Sequence, residues 1–152
     1  MVSLESAFTL SITLAEPFEI GHTPQGFRRV IPITGGSVDG PALRGRVLPG
    51  GADWNVVRPD GVAHLWARYT LETDDGVLIM VTNEGLRPQD SAMRELAARG
   101  ESPDPSSWYC RTAPSFEVAA GPHDWLNRTV FVGAMHPRTK VDEVVIDVHR
   151  VN

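Results

Sequence analysis

Four short motifs in the chain place a tryptophan beside ionisable or amide side chains. They are Asp53-Trp54, Trp66-x-Arg68, Trp108-Tyr109-x-Arg111 and Asp124-Trp125-x-Asn127. Tryptophan and tyrosine offer wide apolar walls with one hydrogen-bonding tip, whereas arginine, aspartate and asparagine make directional polar contacts. A small-molecule pocket needs this mixture. The alternative is that the rings pack in a core or at a barrel edge while the charges form solvated pairs outside.

The chemistry that these residues predict is cofactor-free acid–base catalysis. Asp53 or Glu72 would be a desolvated carboxylate with a raised pKa, and Arg68 or Arg111 would stabilise an oxyanion. Such a site fits isomerisation, cyclisation, hydration or a lyase step on a small aromatic or carbonyl-bearing metabolite. The candidate ligand-binding residues, some as orienting groups and some as walls, are Trp54, Trp66, Asn83, Tyr109, Trp125 and Asn127.

The sequence does not favour a metal centre, a disulfide or a cysteine nucleophile. The five histidines show no short metal-ligand spacing, so no metal centre is predicted. The single cysteine, Cys110, cannot form an intramolecular disulfide, and its position in a predicted strand favours an inert buried thiol over a nucleophile.

The clearest local structure is a β-hairpin over Val62–Thr73 and Val77–Asn83. Asp75-Gly76 is typical of a two-residue type I′ turn, which would place Asn83 opposite Arg68. One face of the hairpin then carries polar residues including Arg68 and Glu72, and the other carries Ala63, Leu65, Ala67, Tyr69 and Leu71. Periodicity leaves open which face points inward.

Alternation with a period of two dominates the rest of the chain. Gly35-Gly36 is interpreted as a break after the second strand, and one short helix is predicted over Pro88–Gly100. The remaining predicted strands are Phe8–Leu14, Phe27–Thr34, Arg44–Leu48, Trp54–Arg58, Trp108–Phe116, Trp125–Gly133 and Val141–Val151. Eight or nine closely spaced strands favour a barrel or a sandwich.

The amino-acid composition and charge favour a turn-rich protein and argue against nucleic-acid and membrane partners. The 14 glycines and 12 prolines exceed average usage and indicate many turns. A net charge of −5 argues against a nucleic-acid partner, because phosphate binding needs a basic field. The longest aliphatic run, Val77–Val81, is too short for a membrane span, and no signal peptide is visible, so a cytoplasmic protein without a membrane partner is expected.

Several segments resemble the domain of unknown function 3237 family. The resemblance runs over nearly the whole chain from about Phe8, and its more specific parts are Gly51-Ala52-Asp53-Trp54 and Trp125-Leu126-Asn127. Cys110 and Trp66 depart from the expected pattern, which has an aromatic residue at the first position and a small or acidic one at the second. The segments that carry the resemblance are Gly51–Gly61, Ala67–Gly76, Tyr109–Glu117 and Trp125–Gly133.

This resemblance implies a small, calycin- or lipocalin-like fold: an all-β, closed antiparallel barrel with one short helix, in a single domain over residues 1–152. The family itself implies no reaction. Besides the enzyme, two other functions stay open. A carrier would need the aromatic walls but no carboxylate against its ligand, and an interaction module would use the aliphatic hairpin face in a homo-oligomer.

Overall fold

The computed structural model describes residues 1–89, 95–96, 98–101, 104 and 107–152. Residues 95, 96 and 98 are helical, and a 3₁₀ helix spans Asp124–Arg128. The strands are β1 (Leu4–Leu14), β2 (Phe18–Thr23), β3 (Gly26–Asp39), β4 (Gly45–Val47), β5 (Gly51–Val57), β6 (Val62–Thr73), β7 (Leu78–Pro88), β8 (Arg111–Val118), β9 (Phe131–Met135) and β10 (Glu143–Val151).

The strands form one antiparallel sheet that closes on itself. β1 pairs with β10 on one side and with the second half of β3 on the other, which completes the ring. The short strands β4 and β5 occupy one position together, since each pairs with β3 and with β6. The described residues therefore form an eight-position antiparallel barrel, and β2 extends it as a hairpin on the first half of β3. The predicted barrel is confirmed.

Strand alternation places the core. On β1, Phe8, Leu10 and Ile12 are buried, as the alternating pattern predicts. On β6 the aliphatic face points inward, so Leu65, Tyr69 and Leu71 are buried. This settles the question that periodicity left open. The polar hairpin face, with Arg68 and Glu72, is outside the barrel.

The register of the β6–β7 hairpin differs from the predicted one by one residue. Asn83 pairs with Ala67 rather than with Arg68. A type I′ turn needs two residues with positive φ, but here Gly76 has φ +84° and no non-glycine residue in the described part of the chain has a positive φ. The Thr73 N–H donates to the Val77 carbonyl at 2.9 Å, so the loop has three residues instead of two. Because one residue of slip moves a side chain to the other face, Asn83 points into the barrel.

Gly35-Gly36 does not end a strand. β3 runs through both residues, and around them its partner changes from β2 to β1 on one side and from β5 to β4 on the other. A Cβ on Gly36 would lie 2.0 Å from the Ser11 carbonyl oxygen, and its φ is +140°. The pair allows β1 and β3 to approach closely at the point where the barrel closes.

Two other predictions need revision, and one strand was missed. The segment predicted as one strand over Trp125–Gly133 is the 3₁₀ helix followed by β9. β2 was not predicted. The predicted helix over Pro88–Gly100 starts too early, because β7 includes Pro88; its residues 90–94 and 97 lie outside the described residues. Within the described ranges, no helix has the length and apolar character needed to span a bilayer.

Candidate functional site

A partly open cavity of about 60 Å³ lies inside the barrel. By volume it holds roughly four to six water-sized groups. Its apolar side is lined by Ile12, Leu14, Ile31, Ile33, Leu65, Ala67, Met135, Val144 and Ile146. Its polar side is lined by Arg29, Asp53, Asn55, Tyr69, Asn83, Arg87, Thr112 and Arg138. The combination of an apolar wall and convergent polar groups is typical of a small-molecule site.

Asp53 on β5 is the carboxylate of this cavity. Its exposed fraction is 9%, and Asn55, two residues along the strand, faces the same way. Between Asp53 and Val56 the ladder with β6 is interrupted. There the Trp66 N–H donates to Asp53 Oδ1 at 2.8 Å, and Asn55 Nδ2 donates to Asp53 Oδ2 at 3.3 Å.

Burial raises the pKa of Asp53 above its ordinary value of 3.8. The hydrogen bonds from Trp66 and Asn55 and the charges of Arg29 and His64 favour the ionised form, but they only partly offset the loss of solvent. Asp53 is therefore a carboxyl group that holds its proton more tightly than a surface aspartate does. Such a group can donate a proton and, once ionised, accept one.

Buried polar atoms without a protein partner converge on the cavity. Among the described residues they are Arg29 Nε, Asn55 Oδ1, Tyr69 OH, Asn83 Oδ1 and Thr112 Oγ1. The Tyr69 hydroxyl lies near the Asn83 amide, yet no well-formed hydrogen bond satisfies it, and burial raises the pKa of Tyr69. Each unmet buried group costs about 1–3 kcal/mol, so these atoms need water or a ligand.

Two glycines make room for the Thr112 hydroxyl. On either side of Thr112 the register places Gly85 of β7 and Gly133 of β9. A Cβ on Gly133 would lie 2.3 Å from Thr112 Oγ1, and one on Gly85 would lie 2.6 Å from Thr112 Cγ2. Larger residues at these positions would displace Thr112 from the cavity wall.

Three arginines from separate parts of the chain also line the cavity. Arg29 comes from β3, Arg87 from the end of β7, and Arg138 from the loop before β10. The Arg87 guanidinium lies 5.6 Å from the centre of the Trp108 ring, and burial lowers its pKa. Arg138 Nη1 donates to the Val141 carbonyl oxygen at 3.2 Å.

The structure brings two of the sequence-predicted site residues, Asp53 and Asn83, into this cavity. Outside the cavity lining are Trp54, Trp66, Arg68, Glu72, Tyr109, Arg111, Trp125 and Asn127. The exposed fractions of Trp54, Trp66 and Tyr109 are 37%, 40% and 51%.

The partners of these outlying residues are on the outer surface or in the core. Arg68 and Arg111 lie over the rings of Trp66 and Tyr109, at 5.4 and 5.0 Å. Glu72 pairs with Arg46 at 2.9 Å.

Trp125 and Asn127 belong to the 3₁₀ helix and have packing contacts. The Trp125 ring lies 5.8 Å from that of Phe131. Asn127 exchanges hydrogen bonds with the backbone of Val118, accepting at 2.9 Å and donating at 2.8 Å. These contacts tie the helix to β8.

Sequence reasoning missed six polar residues of the cavity. Two of them were predictable from strand alternation, because Asn55 shares a strand face with Asp53 and Arg29 alternates with Ile31 and Ile33. Arg138 was not predictable in this way, because its position depends on how the barrel closes. The missed residues are Arg29, Asn55, Tyr69, Arg87, Thr112 and Arg138. Across the described ranges, no three His, Cys, Asp or Glu side chains cluster as metal ligands would.

The fold and this cavity define the protein as a closed antiparallel β-barrel with a polar internal site. The chain belongs to the family described as protein of unknown function DUF3237, whose model matches residues 2–151. This confirms the resemblance seen in the sequence.

Relatives and solved structures share the whole fold. A UPF0311 protein of Rhodopseudomonas palustris is 40% identical over 144 residues, which cover 95% of this chain and 93% of the relative. A beta-barrel like protein from Acinetobacter baumannii has 37% identity and a TM-score of 0.86, covering 100% of this chain and 97% of its own. An enzyme from Penicillium herquei has 20% identity and a TM-score of 0.74, with 99% and 95% covered, which is a likeness of fold alone.

Proposed function

We propose that the barrel binds a small organic molecule in its cavity and that Asp53 exchanges a proton with it. The protein would then be a cofactor-independent acid–base enzyme of the isomerase, lyase, hydratase or cyclase kind. The observation that carries the proposal is the convergence of Asp53 and the partnerless buried polar atoms on one cavity.

The partnerless atoms support binding. A fold stabilised only for its own sake would place apolar groups of similar shape at Thr112 and Tyr69, because an unmet buried hydroxyl lowers stability. A ligand that hydrogen-bonds to them recovers this cost on binding. Stability that a free protein gives up in this way is common at functional sites.

The position of Asp53 supports proton transfer. As the neutral acid it can donate its proton to a carbonyl oxygen or an alkene carbon of the ligand. The resulting carboxylate then removes a proton from a neighbouring atom of the ligand, which returns Asp53 to its starting state. Between the two proton transfers, the Trp66 N–H stabilises the Asp53 carboxylate. The cycle needs no oxidant or reductant, and the distant likeness to a Penicillium enzyme indicates that a barrel of this shape can house an enzyme.

A carrier protein is the second candidate, since the same cavity could hold a ligand without reacting with it. Proton exchange separates the two. Small oxo acids, hydroxy acids and phenols are screened for binding by NMR, and each compound that binds is incubated with the protein in deuterated water. We expect the wild type to exchange or convert at least one of them, and Asp53→Asn to bind it with similar affinity and leave it unchanged.

The outcomes assign the function. Equal conversion by Asp53→Asn would contradict a catalytic role for Asp53, and binding without exchange or conversion would indicate a carrier. The proposal of a cavity ligand fails if every binding compound binds equally well to Ala67→Leu, which fills the cavity. The matched control is Ala113→Leu, which adds the same bulk to an exposed position on β8.

A further inference from the structure

The charges around the cavity do not balance. Of the described residues that line it, three are arginines and one, Asp53, is acidic. Both Asp53 oxygens already accept hydrogen bonds, from Trp66 and Asn55. Even with Asp53 ionised, the lining has an excess of positive charge, in a chain whose net charge is −5.

In the described part of the chain, two of the cavity arginines lack the carboxylate partner that several arginines outside the cavity have. Arg44, Arg46 and Arg58 each form an ion pair with a carboxylate, at 3.4, 2.9 and 2.6 Å. Across the described ranges, Arg29 and Arg87 form no such ion pair, although both are partly buried. A partly desolvated guanidinium is stabilised by an anion, and its planar fork matches a carboxylate.

Buried polar atoms without a protein partner indicate a second polar group on the ligand. Asn55 uses its Nδ2 to bind Asp53, which leaves its Oδ1 facing the cavity as an acceptor without a donor. Thr112 Oγ1 and Tyr69 OH are also buried there without a partner. Asn55 Oδ1 is satisfied only by a donor, and a ligand hydroxyl can donate to it while accepting from the hydroxyl of Thr112 or Tyr69.

We infer that the ligand is a small hydroxy acid, with its carboxylate at the cavity arginines Arg29, Arg87 and Arg138 and its hydroxyl at the partnerless polar atoms of Asn55 and Thr112. This inference rests on the proposed function, because it names the class of ligand that the same cavity takes. The volume of about 60 Å³ limits the enclosed part of the ligand to a few non-hydrogen atoms. The apolar wall, with Ile31, Leu65 and Val144, contacts its carbon skeleton.

Four small probes separate the two parts of the inference. Racemic lactate has both groups, propionate lacks the hydroxyl, racemic lactamide lacks the charge, and propionamide lacks both. Affinities are measured by NMR titration of the full-length protein at constant ionic strength. We expect lactate to bind at least about tenfold more tightly than lactamide and several-fold more tightly than propionate, a difference of about 1.4 kcal/mol for each tenfold.

Two arginine variants test where the carboxylate binds. Arg29→Gln is expected to weaken lactate at least about tenfold while changing lactamide less than about twofold. Because Arg138 lies in an exposed loop, Arg138→Gln provides a second measurement of lactate affinity if Arg29→Gln folds poorly. Arg44→Gln is the matched control, because Arg44 is exposed and pairs with Asp39, and lactate affinity should be unchanged.

Equal binding of lactate and lactamide would overturn the anion inference and leave a cavity for a neutral ligand. Equal binding of lactate and propionate would overturn the hydroxyl part. Lactate binding that Ala67→Leu leaves unchanged would place the probe outside the cavity and contradict the inference. The proposed function fails separately, if no compound of the wider screen is sensitive to Ala67→Leu.

Discussion

The backbone N–H of Trp66 donates to Asp53 Oδ1 at 2.8 Å, so the outward-facing tryptophan of β6 holds the carboxyl group that faces the cavity. The contact takes the place of a rung in the β5–β6 ladder, which is interrupted at this point. Two of the tryptophan motifs in the sequence therefore contribute to the site, through the backbone of Trp66 and the side chain of Asp53. The indole rings of Trp54 and Trp66 are exposed.

The first prediction concerns the hydrogen bond that Asp53 accepts from the Trp66 N–H. Asp53→Asn keeps an oxygen for the Trp66 N–H and loses only the longer 3.3 Å hydrogen bond from Asn55, so its free energy of unfolding should change by less than about 1 kcal/mol at neutral pH. Asp53→Ala leaves that N–H without an acceptor and should lower stability by about 1–3 kcal/mol. Urea denaturation measures both. Equal stabilities of the two variants would contradict the structural role of the hydrogen bond.

The second prediction is a pH dependence with a definite sign. Because the folded-state pKa of Asp53 is raised above 3.8, the folded protein binds more protons at this group than the unfolded chain does. The stability that Asp53 contributes is therefore fully present below about pH 3.8 and is lost as pH rises through the folded-state pKa.

The test compares wild type with Asp53→Asn, whose side chain does not titrate. The free energy of unfolding of the wild type minus that of Asp53→Asn should fall as pH rises from about 3.8 through the folded-state pKa. Its slope should be at most about 1.4 kcal/mol per pH unit. Other groups cancel in the difference. A difference that rises with pH would indicate a lowered pKa and contradict the assignment.

The third prediction uses the buried hydroxyl of Thr112. Thr112→Val keeps the shape of the side chain and removes a polar atom that has no protein partner, so the free protein should gain about 1 kcal/mol of stability. The same variant should bind hydroxyl-bearing ligands several-fold more weakly. Thr82→Val, on the outward face of β7, is the control and should do neither. A destabilised Thr112→Val would show that the hydroxyl has a structural partner.

The fourth prediction tests the backbone conformation of the hairpin loop. Gly76 has φ +84°, and a Cβ there would meet no atom within 4 Å, so Gly76→Ala is strained only by its backbone conformation. We expect a loss of about 1 kcal/mol. Asp74→Ala, in the same loop without a positive φ, should cost less. Thermal unfolding of both variants measures the difference, and equal costs would contradict the positive φ at Gly76.

The hairpin also shows how far sequence reasoning reaches. Alternation separated the two faces of β6 correctly, because the side-chain period of a strand is a local property. The pairing of Asn83 was wrong because Asp75-Gly76 is compatible with two loop lengths, and only the φ values distinguish them. That single residue of slip placed Asn83 on the wrong face.

The candidate site was predictable only in part for a similar reason. Asp53 was identified from its own neighbours, and Asn55 could have been identified because it alternates with Asp53. Arg29 and Arg138 are 109 positions apart, and they meet only because β1 pairs with both β3 and β10. Such long-range closure leaves no trace in local periodicity. The exposed tryptophans misled for the opposite reason, since an aromatic ring beside a charge fits an outer strand face as well as a pocket.

The most direct test of the account is whether filling the cavity abolishes binding of a small hydroxy acid. Lactate is titrated into the wild type, Ala67→Leu and Ala113→Leu, all at the same ionic strength, and followed by NMR. We expect saturable binding to the wild type and Ala113→Leu, and at least about a tenfold loss of affinity for Ala67→Leu. Equal affinity of all three proteins for lactate would contradict the account.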